Sequence, residues 1–140
     1  MRIVLDTNVI VSGLLSEAGP PAQIVDLAIA GDIECVVDRR IVSEYAAVLR
    51  RDELNLAPRT VDEFLAVLER AEWVVGAPLP LSFPDRYDLP FIEVAVAAAV
   101  DAIVTGNEKH FHPREGRLNI PVLTPRQFLD RLARRGPRGS

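Results

Sequence analysis

The stretch MRIVLDTNVIVSGLL, residues 1–15, sets Asp6-Thr7-Asn8 into an otherwise apolar run. Ile3, Val4 and Leu5 before the break and Val9 after it read as buried, so a carboxylate between them needs a reason. A short, uniformly apolar run ending in a polar residue is the pattern of a strand in a parallel sheet covered on both faces. Asp6 then either caps the following helix by accepting a free backbone N–H, or is one acid of a site whose other members come later.

Strand and helix signals alternate outward from this stretch. PAQIVDLAIAG (21–31) reads as a helix closed by Gly31, and IECVV (33–37) as a second strand. Asp38 is placed to cap a helix through RRIVSEYAAVLRR, and Thr60-Val61-Asp62-Glu63 has the spacing of a capping box for a helix through FLAVLERA. EWVV (72–75) reads as a third strand. The four prolines of GAPLPLSFPDRYDLP (76–90) then forbid regular structure. The helix FIEVAVAAAV, the strand AIVTG, the loop NEKHFHPREGRLN and the short strand IPVLT follow. A last helix runs from Thr124, with Gln127 in the capping-box position, to about Arg135. The pattern implies an α/β fold: a three-layer α/β/α arrangement around a central, mostly parallel sheet of four to five strands. Residues 1–135 form one domain in this reading, and GPRGS (136–140) a flexible tail.

At 140 residues and 49% hydrophobic content the chain can bury one real core. The single cysteine, Cys35, cannot form an internal disulfide and suits a reducing cytoplasm as a small packed hydrophobe. The longest uncharged apolar run, VAVAAAV, falls far short of the roughly 20 residues of a membrane span. A cytoplasmic location without a membrane partner is therefore expected. The net charge of −4 argues against nucleic acid. However, Arg39, Arg40, Arg50 and Arg51 gather in one segment and Arg131, Arg134, Arg135 and Arg138 in another, which allows local positive surface on an acidic protein as readily as a plain solvated face.

In open α/β sheets, sites gather beyond the carboxyl ends of the strands. Asp6 and Thr105-Gly106-Asn107 both follow strands and so fall on one edge. Glu44 lies on the shoulder of the stripe Ile41, Tyr45, Val48 and Leu49, half turned inward, whereas Arg39, Ser43 and Arg50 point away. Asp88 shares the inward face of its helix with Phe91, Ile92 and Ala95, Asp85 precedes it by three residues, and Glu93 is expected to face solvent. Each acid alone has a structural explanation: Asp6, Asp38 and Asp88 as caps, Glu44 as a partner of Arg40 or Arg51. Together, Asp6, Glu44 and Asp88 have the composition of a site for a hard divalent ion.

The blocks IVLDTNVIVSGLL, SEYAAVLRR, DRYDLPFIEVAVAAAVDAIVTGNEKHF and IPVLTPRQFL, in this order and covering nearly the whole chain, resemble PIN-domain proteins. The likeness is to the toxin components of toxin–antitoxin systems, the VapC-type ribonucleases. The resemblance implies a Mg²⁺- or Mn²⁺-dependent endoribonuclease of single-stranded RNA that leaves a 5′-phosphate and a 3′-hydroxyl, with Asp6, Glu44 and Asp88 on the metal. It further implies a homodimer and a small antitoxin partner. Thr7, Asn8 and Thr105 would support the cluster, and Arg39, Arg40, Lys109 and His110 would contact RNA. The family's fourth acidic position falls on Asn107, which keeps an oxygen ligand but loses a charge, so Asp85 or Glu108 would have to compensate. That departure leaves open an RNA- or protein-binding module with weak or no nuclease activity.

Other readings fit less well. DTNVI resembles the box of haloacid-dehalogenase-like phosphatases but has Asn8 where a second Asp is needed. A receiver domain should carry an Asp after its third strand, where Val75-Gly76 stands. A zinc site at His110 and His112 lacks a Cys pair or a second spaced histidine.

Overall fold

Asp6 does end a strand. In the computed structural model, which describes residues 1–113 and 115–135, β1 spans Arg2–Leu5, and the helix after it begins at Thr7. Five strands and six α-helices are found among the described residues: β1, α1 (Thr7–Leu15), α2 (Pro20–Ala30), β2 (Glu34–Val37), α3 (Arg39–Leu49), α4 (Pro58–Leu68), β3 (Glu72–Trp73), α5 (Leu89–Ala98), β4 (Ala102–Val104), β5 (Val122–Leu123) and α6 (Pro125–Arg134). The strands form one sheet in the order β3-β2-β1-β4-β5, every neighbouring pair parallel.

Successive residues of a strand face opposite sides of the sheet. Ile3, Val4 and Leu5 of β1 and Ala102, Ile103 and Val104 of β4 are nevertheless all at most 1% exposed, so helices cover both faces. This is the α/β/α layering expected from the apolar strands. α5 lies across β1, β2 and β4, and α6 packs on β4 and β5 with α2 beside it.

The chain leaves β1 towards β2 and β3, then returns to the other side of β1 as β4 and β5. The order therefore reverses between β1 and β4. At such a reversal the connections after the two strands diverge and open a crevice at their carboxyl ends. The Asp6 amide still donates to the Val104 carbonyl at 2.9 Å, so Asp6 stands at the floor of that crevice.

Local signals hold in most places. Gly31 closes α2 in the left-handed region, with φ 84°. Asp38 caps α3, its Oδ1 accepting from the Ile41 amide at 2.9 Å. Thr124 and Gln127 form a complete capping box at α6. Thr60 and Glu63 do not: α4 starts three residues earlier than that box implies, at Pro58, because proline fits the first helical position, and Thr60 lies inside the helix. β3 is limited to Glu72–Trp73 rather than all of EWVV, and Val75 is 89% exposed. The expected tail, 136–140, lies outside the described residues.

α1 and α2 cross closely at Gly13. A Cβ there would stand 2.5 Å from Val25 Cγ2 and 2.7 Å from the Pro21 carbonyl oxygen. Gly13→Ala gains about 1 kcal/mol in helix propensity but overpacks against main chain, which costs about 1–3 kcal/mol. Because a backbone oxygen cannot rotate away, the cost falls at the upper end of that range, and we expect a net loss of up to about 2 kcal/mol in denaturant unfolding.

Candidate active site

The crevice beyond β1 and β4 is a cleft of about 480 Å³, lined among others by Asp6, Thr7, Asn8, Glu44, Asp85, Asp88, Asn107 and His110. Each arrives from a different part of the chain for a traceable reason. Asp6 makes no full side-chain cap hydrogen bond to α1, although the Thr7 and Asn8 amides lie close enough to favour its carboxylate. Its Oδ2 accepts a hydrogen bond from the Thr105 hydroxyl at 2.7 Å, and Thr105 is fully buried at the end of β4. The Asn107 amide donates to the same hydroxyl at 3.0 Å, and the Gly106 amide to Asn8 Oδ1 at 3.3 Å, which stitches the turn after β4 to the start of α1.

Glu44 is positioned by its neighbour. Tyr45 is 1% exposed, and its hydroxyl donates to the Leu5 carbonyl, locking α3 to the last residue of β1. One helical position away, Glu44 meets the Thr7 hydroxyl, which donates to its Oε2. Thr7 thereby ties the Glu44 carboxylate to the first turn of α1. Neither Arg40 nor Arg51 pairs with Glu44. Asp88 stands at the N-terminal end of α5 without capping it, and its Oδ2 is buried with no hydrogen-bond partner.

Crowding of acids shows in their proton affinities. Burial pushes the Asp6 carboxyl above its usual range, the Thr105 hydrogen bond opposes this, and the Glu44 charge adds to it. Asp88 is pushed up to about 6, first by burial and then by the charges of Asp6 and Asp85, with His110 working the other way. The Asp88 oxygen is buried without a hydrogen-bond donor and faces other carboxylates, with the His110 imidazole 3.6 Å away. Asp6, Glu44, Asp88, Asp85 and the Asn107 amide oxygen are ligand types that suit a hard divalent cation, but Asp6, Glu44 and Asp88 share the cleft without closing to one coordination sphere; among the described residues it is Asp85, Asp88 and His110 whose ligand atoms lie within 4.8 Å of one another.

The expected basic contacts are partly relocated. Arg39 and Lys109 are exposed and do not line the cleft. Arg40 is held elsewhere: its Nε donates to Asp38 at 2.8 Å and its Nη1 to Glu93 at 2.7 Å, so Glu93, with 11% of its side chain exposed, is an ion-pair partner and not a solvent-facing acid. Arg51 is the cation that does line the cleft, together with His110. It lies two residues beyond the end of α3, with extended backbone (φ −65°, ψ 132°), so helical spacing from Glu44 does not place it there. Ser12 and Glu53, also on the lining, carried no sequence signal either. Of the two acids that could offset Asn107, Asp85 lines the cleft and Glu108 does not.

Thr105 provides a test of this geometry. Thr105→Val keeps the volume but leaves the buried Asp6 oxygen and the Asn107 amide without their partner. We expect a loss of about 1–3 kcal/mol at neutral pH, measured by urea unfolding.

The family model described as a PIN domain matches residues 2–109, a span that contains Asp6, Glu44, Asp88 and Asn107. A solved structure, VapBC2 from Rickettsia felis bound to a DNA fragment from their promoter, shares the fold with TM-score 0.56 and 15% sequence identity, covering 89% of this chain and 98% of that one. No curated protein matches the chain. No helix among the described residues is long and apolar enough to cross a membrane.

Proposed function

The chain belongs to the PIN-domain family, and from that premise we propose that it is a Mg²⁺- or Mn²⁺-dependent endoribonuclease of single-stranded RNA, the toxin of a toxin–antitoxin pair. The observation that carries the reading is the shared cleft of Asp6, Glu44 and Asp88 at the carboxyl edge of β1 and β4, with a buried Asp88 oxygen that accepts no hydrogen bond. These three residues would hold the metal. When bound, the ion supplies charge neutralisation at the scissile phosphate and lowers the pKa of a bound water. The chain's own residues supply orientation: Thr105 fixes Asp6, Thr7 fixes Glu44, and Asn8 braces the turn that carries Asn107. Arg51 and His110 at the cleft contact backbone phosphates, which offsets the repulsion between RNA and a cluster of acids.

The solved neighbour is a VapBC complex, which supports a small antitoxin partner. Self-association and a cytoplasmic location belong to the same proposal. Asn107 favours one competing reading, a module that binds RNA or protein without cutting. Cleavage of a mixed RNA pool by the purified chain with Mn²⁺ or Mg²⁺, abolished by chelator, decides between them. Asn107→Asp should lower the metal concentration for half-maximal cleavage about tenfold if Asn107 only weakens cation binding. If Asn107 instead orients phosphate, the added charge should reduce cleavage. Binding without cleavage by both proteins supports the non-cutting module.

A further inference from the structure

Asp85 and His110 enter the cleft from two separate loops. Asp85 precedes a 3-10 turn, Arg86–Asp88, and its Oδ1 accepts from the Tyr87 amide at 2.9 Å, which fixes the side chain and leaves the second oxygen available. His110 sits on the turn Glu108–Phe111. That turn is anchored by Phe111, which is fully buried, and by the His110 amide, which donates to the Asn107 carbonyl at 3.0 Å. One ligand atom each of Asp85, Asp88 and His110 lie within 4.8 Å of one another. His110 Nδ1 is 3.6 Å from Asp88 Oδ2, the buried oxygen without a hydrogen-bond partner.

Three donors held about 2.0–2.3 Å from one cation lie roughly 3–4 Å from one another. His110 Nδ1 and Asp88 Oδ2 already stand at 3.6 Å, and the rest of the group, within 4.8 Å, would close by about an ångström. The His110 side chain is 49% exposed and free to make that adjustment. The donor set also differs in kind from Asp6, Glu44 and Asp88. Carboxylates and water suit Mg²⁺, whereas an imidazole suits first-row transition ions, whose affinity for nitrogen rises along the series from Mn²⁺.

We propose that Asp85, Asp88 and His110 form a second cation position of the cleft, which takes a first-row transition-metal ion in preference to Mg²⁺. The proposal rests on reading the cleft as a cation site and adds a ligand set and a selectivity to it. Asp88 is shared between the two positions, so its otherwise unpartnered oxygen is used. Asp85 supplies a negative charge of the kind that Asn107 lacks.

The test titrates the metal-free full chain with Co²⁺, followed by visible absorption and calorimetry, and in parallel with Mg²⁺. His110→Ala should weaken Co²⁺ binding at least about tenfold, the lower end of what metal sites lose with even an outer partner, and should alter the Co²⁺ absorption band. Mg²⁺ affinity should change less than about twofold. Asp85→Asn should weaken Co²⁺ as well, and Lys109→Ala, beside the site, should not. Co²⁺ binding that is indifferent to both His110→Ala and Asp85→Asn overturns the proposal, as does an equal loss of Co²⁺ and Mg²⁺ affinity. RNA cleavage on the same samples separates the two claims. A wild type that binds Co²⁺ through His110 but cuts no RNA with any ion sinks the nuclease reading alone. Cleavage by a protein whose Co²⁺ binding ignores His110 sinks this proposal alone.

Discussion

Asp6→Asn should abolish metal-dependent RNA cleavage, a loss of at least about a thousandfold in kcat/KM, with the fold retained. The substitution keeps the shape of the side chain and an oxygen that can still accept the Thr105 hydroxyl. What it removes is one negative charge at the floor of the cleft, where three carboxyl groups are proposed to share a cation. A carboxylate ligand is worth most where water is excluded, and Asp6 is 8% exposed. Circular dichroism and thermal melting of the variant should match or exceed the wild type, because a charge that burial disfavours has gone. Cleavage at wild-type rates by Asp6→Asn would remove this residue from the machinery. Loss of fold would show that the Asp6–Thr105 contact is chiefly structural.

Metal-free protein should become less stable as pH rises through the range that ionises Asp88, and divalent ions should restore what is lost. The Asp88 carboxyl is pushed up from an ordinary 3.8 to about 6. A carboxyl whose folded pKa exceeds its unfolded value is neutral in both states below about 4 and contributes no penalty there. Between about 4 and 6 the unfolded chain releases its proton more readily, so stability falls, and above about 6 the full cost is present. Two units correspond to about 2–3 kcal/mol. Asp88→Asn, neutral throughout and well suited to a helix N-cap, should therefore match the wild type near pH 4 and, because solvent at the open cleft screens part of the charge, be more stable by about 1–2 kcal/mol at pH 7.5. In the wild type at pH 7.5, Mg²⁺ or Mn²⁺ at a hundred times its Kd should add about 2.7 kcal/mol, a rise of roughly 5–10 °C in Tm. The same ions should have little effect on Asp88→Asn. A melting temperature indifferent to millimolar divalent ions in the wild type would count against any cation site in the cleft.

Much of the lining of the candidate cleft is legible in the sequence, because its signals are local. Asp6 interrupts an apolar strand, Glu44 lies off the apolar stripe of its helix, and Asp88 shares a face with Phe91 and Ile92; each is a statement about periodicity within about ten residues. The same locality explains the errors. Thr60 and Glu63 have capping-box spacing, but Pro58 starts α4 earlier. The angle of Glu93 on α5 points to solvent, yet Arg40, 53 residues away, covers it. Arg40 looked like a free cation for RNA because nothing near it in sequence indicated that Asp38 and Glu93 would both take it up.

By itself the sequence determined the alternation of strands and helices, the parallel sheet covered on both faces, and the placement of Asp6 and Asn107 just past strand ends. These follow from side-chain period and burial, which the chain imposes on itself locally. Only the tertiary structure decided that β1 lies between β2 and β4, so that the crevice opens beside Asp6. It also decided that Arg51 rather than Arg39 or Arg40 borders the cleft, and that Asp85, Asp88 and His110 meet while Glu108 stays away. The physical reason is that strand order and loop docking are set by contacts between segments tens of residues apart. Those contacts are selected by the packing of the whole core, and no spacing within one segment records them.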